Sequence, residues 1–590
     1  MANEEKVTGK VLDRKIAARL LTYVRPYRKL FVIALTLTIL QAVLSPLEPI
    51  LFQYLLDNQI PQGDIAGLRN MIFLIIAVVI AQAIVMYGNT YLTNWLGQSI
   101  IRDIRVQVFD HILKLKLKYF DKTPIGKLQT RTINDVETLN DVFTSGLVRI
   151  VGELLQLAAI LAAMFYVSWK LTLAVLVTLP LLIFATSIFK NKVKVAFQKV
   201  RTAVSEMNTF LQEHLTGMQI IHIFNREKVE MDRFREINKR HRKAHLNTVL
   251  YYSIFYPVIE IISALTLGIL VWYGAGRVVQ SELQFGELVA FIMFQSMFFR
   301  PIRLLADQFN ILQMGMVSAE RIFIVLDTQE MIPNNGTIRE LSGESHESLI
   351  EFQNVTFAYN EPEWVLKDIS FKVKSGEKVA LVGATGSGKS TIINLISRFY
   401  EIQEGNILIN GKDIQSYHLD YLRQLTGIVL QEVFLFSGSI YDNITLNNPD
   451  IPLETVIEAA KRVGAHNFIS RLPNDYHYEV QERGSTLSLG QRQLIAFARV
   501  LIYDPQILIL DEATANIDTE SEEIIQMAID QVMSGRTSII IAHRLSTIQK
   551  ADNILVLHKG KLMESGNHQE LLKQEGLYYQ LHQMQFAATE

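Results

Sequence analysis

Cysteine is absent from all 590 residues, which excludes disulfide bonds, thiol catalysis and cysteine-ligated metal together while leaving the compartment open. Neither sign of charge predominates. With 57 Lys and Arg against 59 Asp and Glu, the net charge of −2 gives no footing for wholesale nucleic-acid binding, and no nucleic-acid partner is expected. The first ten residues are polar, and no short apolar core with a small-residue cleavage site follows them, so no secretory signal peptide is expected.

What the chain has in quantity is apolar sequence. Hydrophobic residues make up 49% of it and mean hydropathy is +0.19, high for a protein that also carries 20% charged residues. Its length is too great for a single core and suggests two or three units. Composition divides it accordingly: an amphipathic stretch over residues 1–29, apolar runs separated by basic stretches over 30–315, a polar linker over 316–348, and alternating strand and helix patterns over 349–590.

In the first stretch Leu12, Ile16, Leu20 and Val24 recur every four residues, with Arg14, Lys15 and Arg19 on another face. The pattern fits a helix lying on a membrane surface and equally a soluble amphipathic helix. Six apolar runs follow, at Leu30 to Leu56, Met71 to Leu92, Leu147 to Val167, Leu171 to Phe189, Val249 to Gly274 and Leu288 to Leu305. A hydrocarbon core of about 30 Å takes roughly 20 helical residues, so six spans are expected in a lipid bilayer. Arg300 and Arg303 intrude on the last of them. Lys and Arg concentrate before the first span, between the second and third, and between the fourth and fifth; the positive-inside rule puts both termini and both long connections in the cytoplasm.

Those connections are too long for turns and too helical in pattern for disorder, so the spans are expected to run on beyond the membrane. Thr132 to Glu137 and Phe224 to Lys228 are short polar stretches suited to docking at the far ends. Prolines at 46, 49, 180, 257 and 301 are expected to kink or interrupt helices. Glu153 and Glu260 lie within apolar runs, where a carboxylate costs several kcal/mol unless it faces a cavity or a partner. Glu260 could contact a cationic substrate or bond another helix. Phe294 and Phe298 could line a substrate cavity or simply pack.

The second half carries the chemistry. Gly383 to Thr391 fits the phosphate-loop pattern G-x-x-x-x-G-K-[ST] between the apolar run Lys378 to Val382 and a helical run from Ile392. Gly383, Gly386 and Gly388 permit backbone angles that turn N–H groups toward phosphate oxygens, with Thr385 and Ser387 between them. The helix that follows, opening on Lys389, Ser390 and Thr391, aims its positive dipole end at the same anion. Lys389 reaches the outer phosphates and Ser390 offers a hydroxyl to Mg2+. Downstream, Gln506 to Asp511 is an apolar run ending in the acids Asp511 and Glu512, as in a strand of a parallel sheet whose C-terminal end binds ligand. Asp511 would hold Mg2+ through water and Glu512 would orient or deprotonate the attacking water. A further apolar strand from Thr537 delivers His543 to the same edge, and Tyr359 is placed to stack on a base.

Leu487-Ser-Leu-Gly-Gln491 resembles the L-S-G-G-Q signature of ATP-binding cassette (ABC) proteins, with Ser488, Leu489, Gly490 and Gln491 as its last four residues. In the same order Tyr359 is similar to that family's adenine-stacking aromatic, Gln431 to its Q-loop glutamine, Ala515 to Asp518 to its D-loop and His543 to its switch histidine. With six spans ahead of the cassette, the chain resembles an exporter half-transporter of the multidrug type. The resemblance implies an α-helical six-span domain followed by an α/β nucleotide-binding domain built on a parallel sheet. It also implies ATP and Mg2+, the metal held by Ser390, Gln431 and Asp511, and a dimer in which ATP lies between one chain's phosphate loop and the other's signature. In that arrangement Glu512, His543 and Gln431 are catalytic, Asp518 belongs to the D-loop, and the membrane is the bacterial plasma membrane.

Two positions depart from the family pattern. Leu489 stands where glycine is expected, and Gln481 stands where the loop before the signature usually has glycine. Both lie on the surface offered to the partner's ATP, so a heterodimer is expected, this subunit arming one competent site and leaving the other degenerate. The expected function is ATP-driven efflux of amphipathic or hydrophobic small molecules. Lipid or lipopeptide flipping, another export cargo and a regulatory ATPase stand as alternatives.

Overall fold

The computed structural model describes residues 13–341, 348–511, 519–542 and 545–585, and divides into two units. One comprises Met1–Leu113 and Ile125–Thr328, the other Lys114–Pro124 and Gln329–Glu590.

The described residues of the first unit form helices and the short turns between them. Among the described residues, five helices are long and apolar enough to cross a membrane: Arg25–Gln62, Ile65–Lys114, Ile125–Val167, Trp169–Thr216 and Glu227–Val279. The sixth apolar run lies on a continuous helix, Phe285–Asp327, which is not among those five. That helix carries on through Ser318, so the polar stretch read as a linker from residue 316 begins as helix. The five have 38 to 53 residues, about twice what a bilayer core needs, which is why they extend past any membrane they cross. Proline acts where expected: Pro46 separates Arg28–Leu44 from Leu47–Tyr54, and Pro180 sits in the first turn of Leu179–Thr216. Pro257 and Pro301 lie inside helices that continue past them.

The amphipathic stretch forms Arg14–Thr22, capped by the Asp13 carboxylate, which accepts from the Lys15 N–H at 2.8 Å. Part of its surface is committed to protein. Leu20 is buried, and the Arg19 guanidinium donates to Asp327 at 2.7 Å while lying 4.2 Å from the Phe323 ring centroid.

Two sequence expectations change in this unit. Thr132 to Glu137 is only partly exposed: Ile133, Asn134 and Glu137 are exposed, but Asp135 is buried, its carboxylate accepting from Ser318 Oγ at 3.0 Å where this segment packs along Phe285–Asp327. Phe294 and Phe298 are buried with Phe291, Phe299, Ile259, Ile262 and Leu171, so helix packing explains them and no cavity is needed. A cavity of about 780 Å³ in this unit is lined by Arg201, Thr202, Ser205, Glu206, Thr209, Phe210, Glu213 and Ile237, and by none of Glu260, Phe294 and Phe298. Glu260 is exposed, and Glu153 lies 3.9 Å from Arg149 one turn back along its helix.

The second unit is built on a six-stranded sheet. Its strands lie in the order Lys561–Gly566, Asn553–His558, Lys378–Val382, Thr537–Ile541, Ile507–Asp511, Thr426–Val429, and only the first pair is antiparallel. The parallel strands need apolar side chains on both faces because helices and a second sheet cover them, and Leu508, Ile509, Leu510, Ile539, Ile540 and Ile541 are all buried. A separate antiparallel sheet runs Leu366–Val373, Ile350–Phe357, Glu404–Ile409, Lys412–Asp413.

The short segment Lys114–Pro124 belongs to this unit although the chain on both sides of it is helical unit. Its helix Leu117–Lys122 is preceded by Lys116, whose N–H donates to Glu330 O at 2.9 Å, and by Leu115, which bridges to Met331. This segment is grouped with the cassette residues and residues 132–137 are not, and within it Asp121 accepts from the Tyr400 hydroxyl.

Candidate functional site

Sheet order brings the site together. The strand before the glycine-rich turn, Lys378–Val382, lies beside Thr537–Ile541, with Leu381 opposite Ile541. Ile541 stands opposite Asp511 on the next strand, and Leu510 stands opposite Val429 on the one after. The C-terminal ends of four adjacent parallel strands therefore deliver Gly383, Ala542, Asp511 and Leu430 with Gln431 to one edge. Ligands bind at that edge in such sheets. Glu512, His543 and Asp518 follow these strands in sequence and lie outside the described residues.

The turn from Gly383 to Gly388 is shaped by positions that only glycine fills without strain. Gly386 has φ +80° and Gly388 φ +107°, and a Cβ at Gly388 would come within 2.5 Å of Leu366. A Cβ at Gly383 would meet Leu557 O at 2.3 Å. Inside the turn, the Ser387 hydroxyl is buried with no hydrogen-bond partner among the described residues. Thr385 and Gly386 are exposed at its rim. Lys389 opens the helix Lys389–Ile396, and its ammonium donates to Gly383 O at 2.7 Å and Ala384 O at 3.1 Å. Burial holds that ammonium below the usual lysine range, and the Asp511 carboxylate opposes the shift. A buried cation, an orphan hydroxyl and a glycine cradle at a helix start fit an anionic phosphate chain. The exposed Ser390 hydroxyl, the part-exposed Asp511 carboxylate and the exposed Gln431 amide form an all-oxygen donor set, which fits a hard divalent cation.

Tyr359 stands beside this turn. Its hydroxyl donates to Thr391 Oγ1 at 3.2 Å and accepts from Asn394 Nδ2 at 3.2 Å. The chain just before it is pinned by Gln403, whose amide accepts from Ala358 N–H at 3.1 Å and donates to Ala358 O at 2.8 Å. Sequence reasoning did not reach Asn394, Gln403 or Tyr400; each is an ordinary residue until the fold closes on Tyr359.

The signature stretch forms a capped helix start. Ser488 caps the helix Leu489–Tyr503, its hydroxyl accepting from Gln491 N–H at 3.2 Å while Gln491 Oε1 accepts from Ser488 N–H at 3.0 Å. Leu489 is the first helical residue and stays partly exposed, Gly490 is buried, and Gln481 is exposed. Ser488 to Gln491 thus sit at a helix start and not at the C-terminal end of a strand of the six-stranded sheet.

Comparison with known proteins agrees with this reading. Family models described as "ABC transporter transmembrane region" and "ABC transporter" match residues 31–302 and 366–515. The Bacillus subtilis "Uncharacterized ABC transporter ATP-binding protein YknV" is 40% identical over 97% of this chain and 94% of its own length. The Bacillus subtilis "Probable multidrug resistance ABC transporter ATP-binding/permease protein YheH" is 40% identical over 89% of this chain and 78% of its own. An "ATP-dependent lipid A-core flippase" of Syntrophus aciditrophicus is 33% identical over 97% and 94%. With its helical transmembrane region and ATP-binding cassette on one polypeptide, the chain belongs to the ABC transporter family as an exporter half-transporter, a multi-pass membrane ATPase.

Proposed function

We propose that this chain is one half of a bacterial heterodimeric multidrug exporter, which uses ATP to move amphipathic or hydrophobic compounds out across the plasma membrane by alternating access. The observation that carries the reading is the convergence of the glycine turn, Lys389 and Asp511 at the C-terminal edge of one parallel sheet. Six spans, cytoplasmic termini and a cytoplasmic cassette complete the reading, supported by the basic connections and by the helix Phe285–Asp327 that holds the sixth apolar run.

In this reading Tyr359 stacks on the base, while Gly383, Thr385, Gly386, Ser387, Gly388, Lys389 and Thr391 surround the phosphates. Ser390, Gln431 and Asp511 would hold Mg2+, which when bound neutralises charge on the transferred phosphate. Glu512 orients or deprotonates the water, and His543 bonds the γ-phosphate or the water. The partner chain's signature closes this site. Ser488, Leu489, Gly490 and Gln491 close the partner's, weakly, because the Leu489 side chain adds bulk where backbone must approach phosphate. Glu260, exposed on a candidate span, remains the residue proposed to contact cationic cargo.

Everted membrane vesicles containing this chain and its partner test the reading. ATP-dependent accumulation of an amphipathic dye, lost with Glu512→Gln, supports it. ATP-dependent lipid translocation without dye accumulation would favour the flippase reading, for which the lipid A-core relative speaks.

A further inference from the structure

Tyr359 does not stand alone. Its ring meets Phe357 edge to face at 4.9 Å between centroids and 85° between planes, and Tyr400 in the same way at 4.9 Å and 87°. Tyr400 in turn packs edge-on against Phe357 at 5.9 Å and 68°, closing a three-ring cluster. Edge-to-face contacts orient rings because the positive edge of one meets the negative face of the other. Tyr400 is buried, and its hydroxyl donates to the Asp121 carboxylate, 279 residues away in sequence. Burial, and next the bond to Asp121, push the Tyr400 phenol above the usual tyrosine range, so it stays a donor. Asp121 sits on Leu117–Lys122, in the segment that joins the candidate spans Ile65–Lys114 and Ile125–Val167.

We propose that Tyr400 and Asp121 are positioning residues for the nucleobase. Asp121 fixes the Tyr400 hydroxyl, Tyr400 fixes the ring of Tyr359, and affinity for the base thereby depends on the segment joining two membrane-crossing helices. Thr391 and Asn394 hold the Tyr359 hydroxyl from the other end, so losing the Tyr400 anchor frees the ring's tilt and leaves its attachment to the phosphate-binding helix. The inference rests on the reading of Tyr359 as the base platform.

The test uses the full chain with its partner in lipid nanodiscs. It measures KM and kcat for ATP and the inhibition constant of inorganic tripolyphosphate, which has phosphates and no base. Asp121→Ala and Tyr400→Phe are each expected to raise KM about three- to tenfold, with kcat and tripolyphosphate inhibition within about twofold of the parent. Asp121→Asn keeps an acceptor oxygen and should restore the parental KM. The double variant should be no worse than either single one, because both remove the same link. An unchanged KM in Asp121→Ala, equal losses for ATP and tripolyphosphate, or multiplying effects in the double variant each overturn the proposal. Tyr359→Ala separates the two levels: if it leaves KM unmoved, the base-platform reading fails and the inference with it. If it raises KM while Asp121→Ala does not, only the inference fails.

Discussion

The ammonium of Lys389 donates to the carbonyl oxygen of Gly383 at 2.7 Å, so the lysine closes the turn from which its own helix starts. It is buried there, with Asp511 near enough to support its charge. Removing it leaves a phosphate cradle without its cation. Lys389→Ala is expected to lower ATP hydrolysis by about 100-fold or more, the scale of losing one charged stabiliser in a site that excludes water. Its thermal midpoint should stay within a few degrees, as suits a change of about 1 kcal/mol. Turnover at the parental rate would remove Lys389 from the phosphate role.

Glu512 follows the strand Ile507–Asp511 directly in sequence. Glu512→Gln is expected to cut turnover by at least about 100-fold, since a neutral amide neither takes a proton nor strongly polarises water. Nucleotide binding, measured by equilibrium titration, should persist. Undiminished hydrolysis would end the assignment of that carboxylate.

Leu489 opens a helix that Ser488 already caps, so Leu489→Gly has two opposed effects. Glycine in the first turn costs up to about 1 kcal/mol of helix stability, while the lost side chain lets backbone approach phosphate. We expect hydrolysis in the purified complex with the proposed partner to rise several-fold despite a slightly lower melting temperature. A drop in both, or no change in turnover, would count against a degenerate site completed by this chain.

Phe294 is fully buried in the helical core. Phe294→Ala should therefore lower stability by about 3–5 kcal/mol, read as a fall in thermal midpoint, and weaken export of every cargo alike. A selective loss for one class of compound with stability intact would return Phe294 to a cargo surface.

How legible the site was in the sequence depended on how far apart its parts lie along the chain. Gly383 to Lys389 could be read because turn, lysine and helix start are contiguous, and the apolar run ending at Asp511 marked a doubly buried strand. Sheet order, which alone puts Gln431 and Asp511 at adjacent strand ends, follows from pairing across long separations and leaves no local pattern. The same limit hid Asp121, whose partner Tyr400 lies 279 residues on. It also hid the burial of Asp135, since a polar stretch around one buried carboxylate has the composition of a wholly exposed tip. Phe294 and Phe298 show a different limit, because core packing and a greasy cavity wall call for the same side chains.

The most direct test of the account combines native mass spectrometry of the purified, lipid-embedded complex with its rate of ATP hydrolysis. One copy of this chain paired with one copy of a different ABC half-transporter, turning over ATP only as that pair, is the predicted result. A lone copy or an identical pair hydrolysing ATP at the full rate would contradict it.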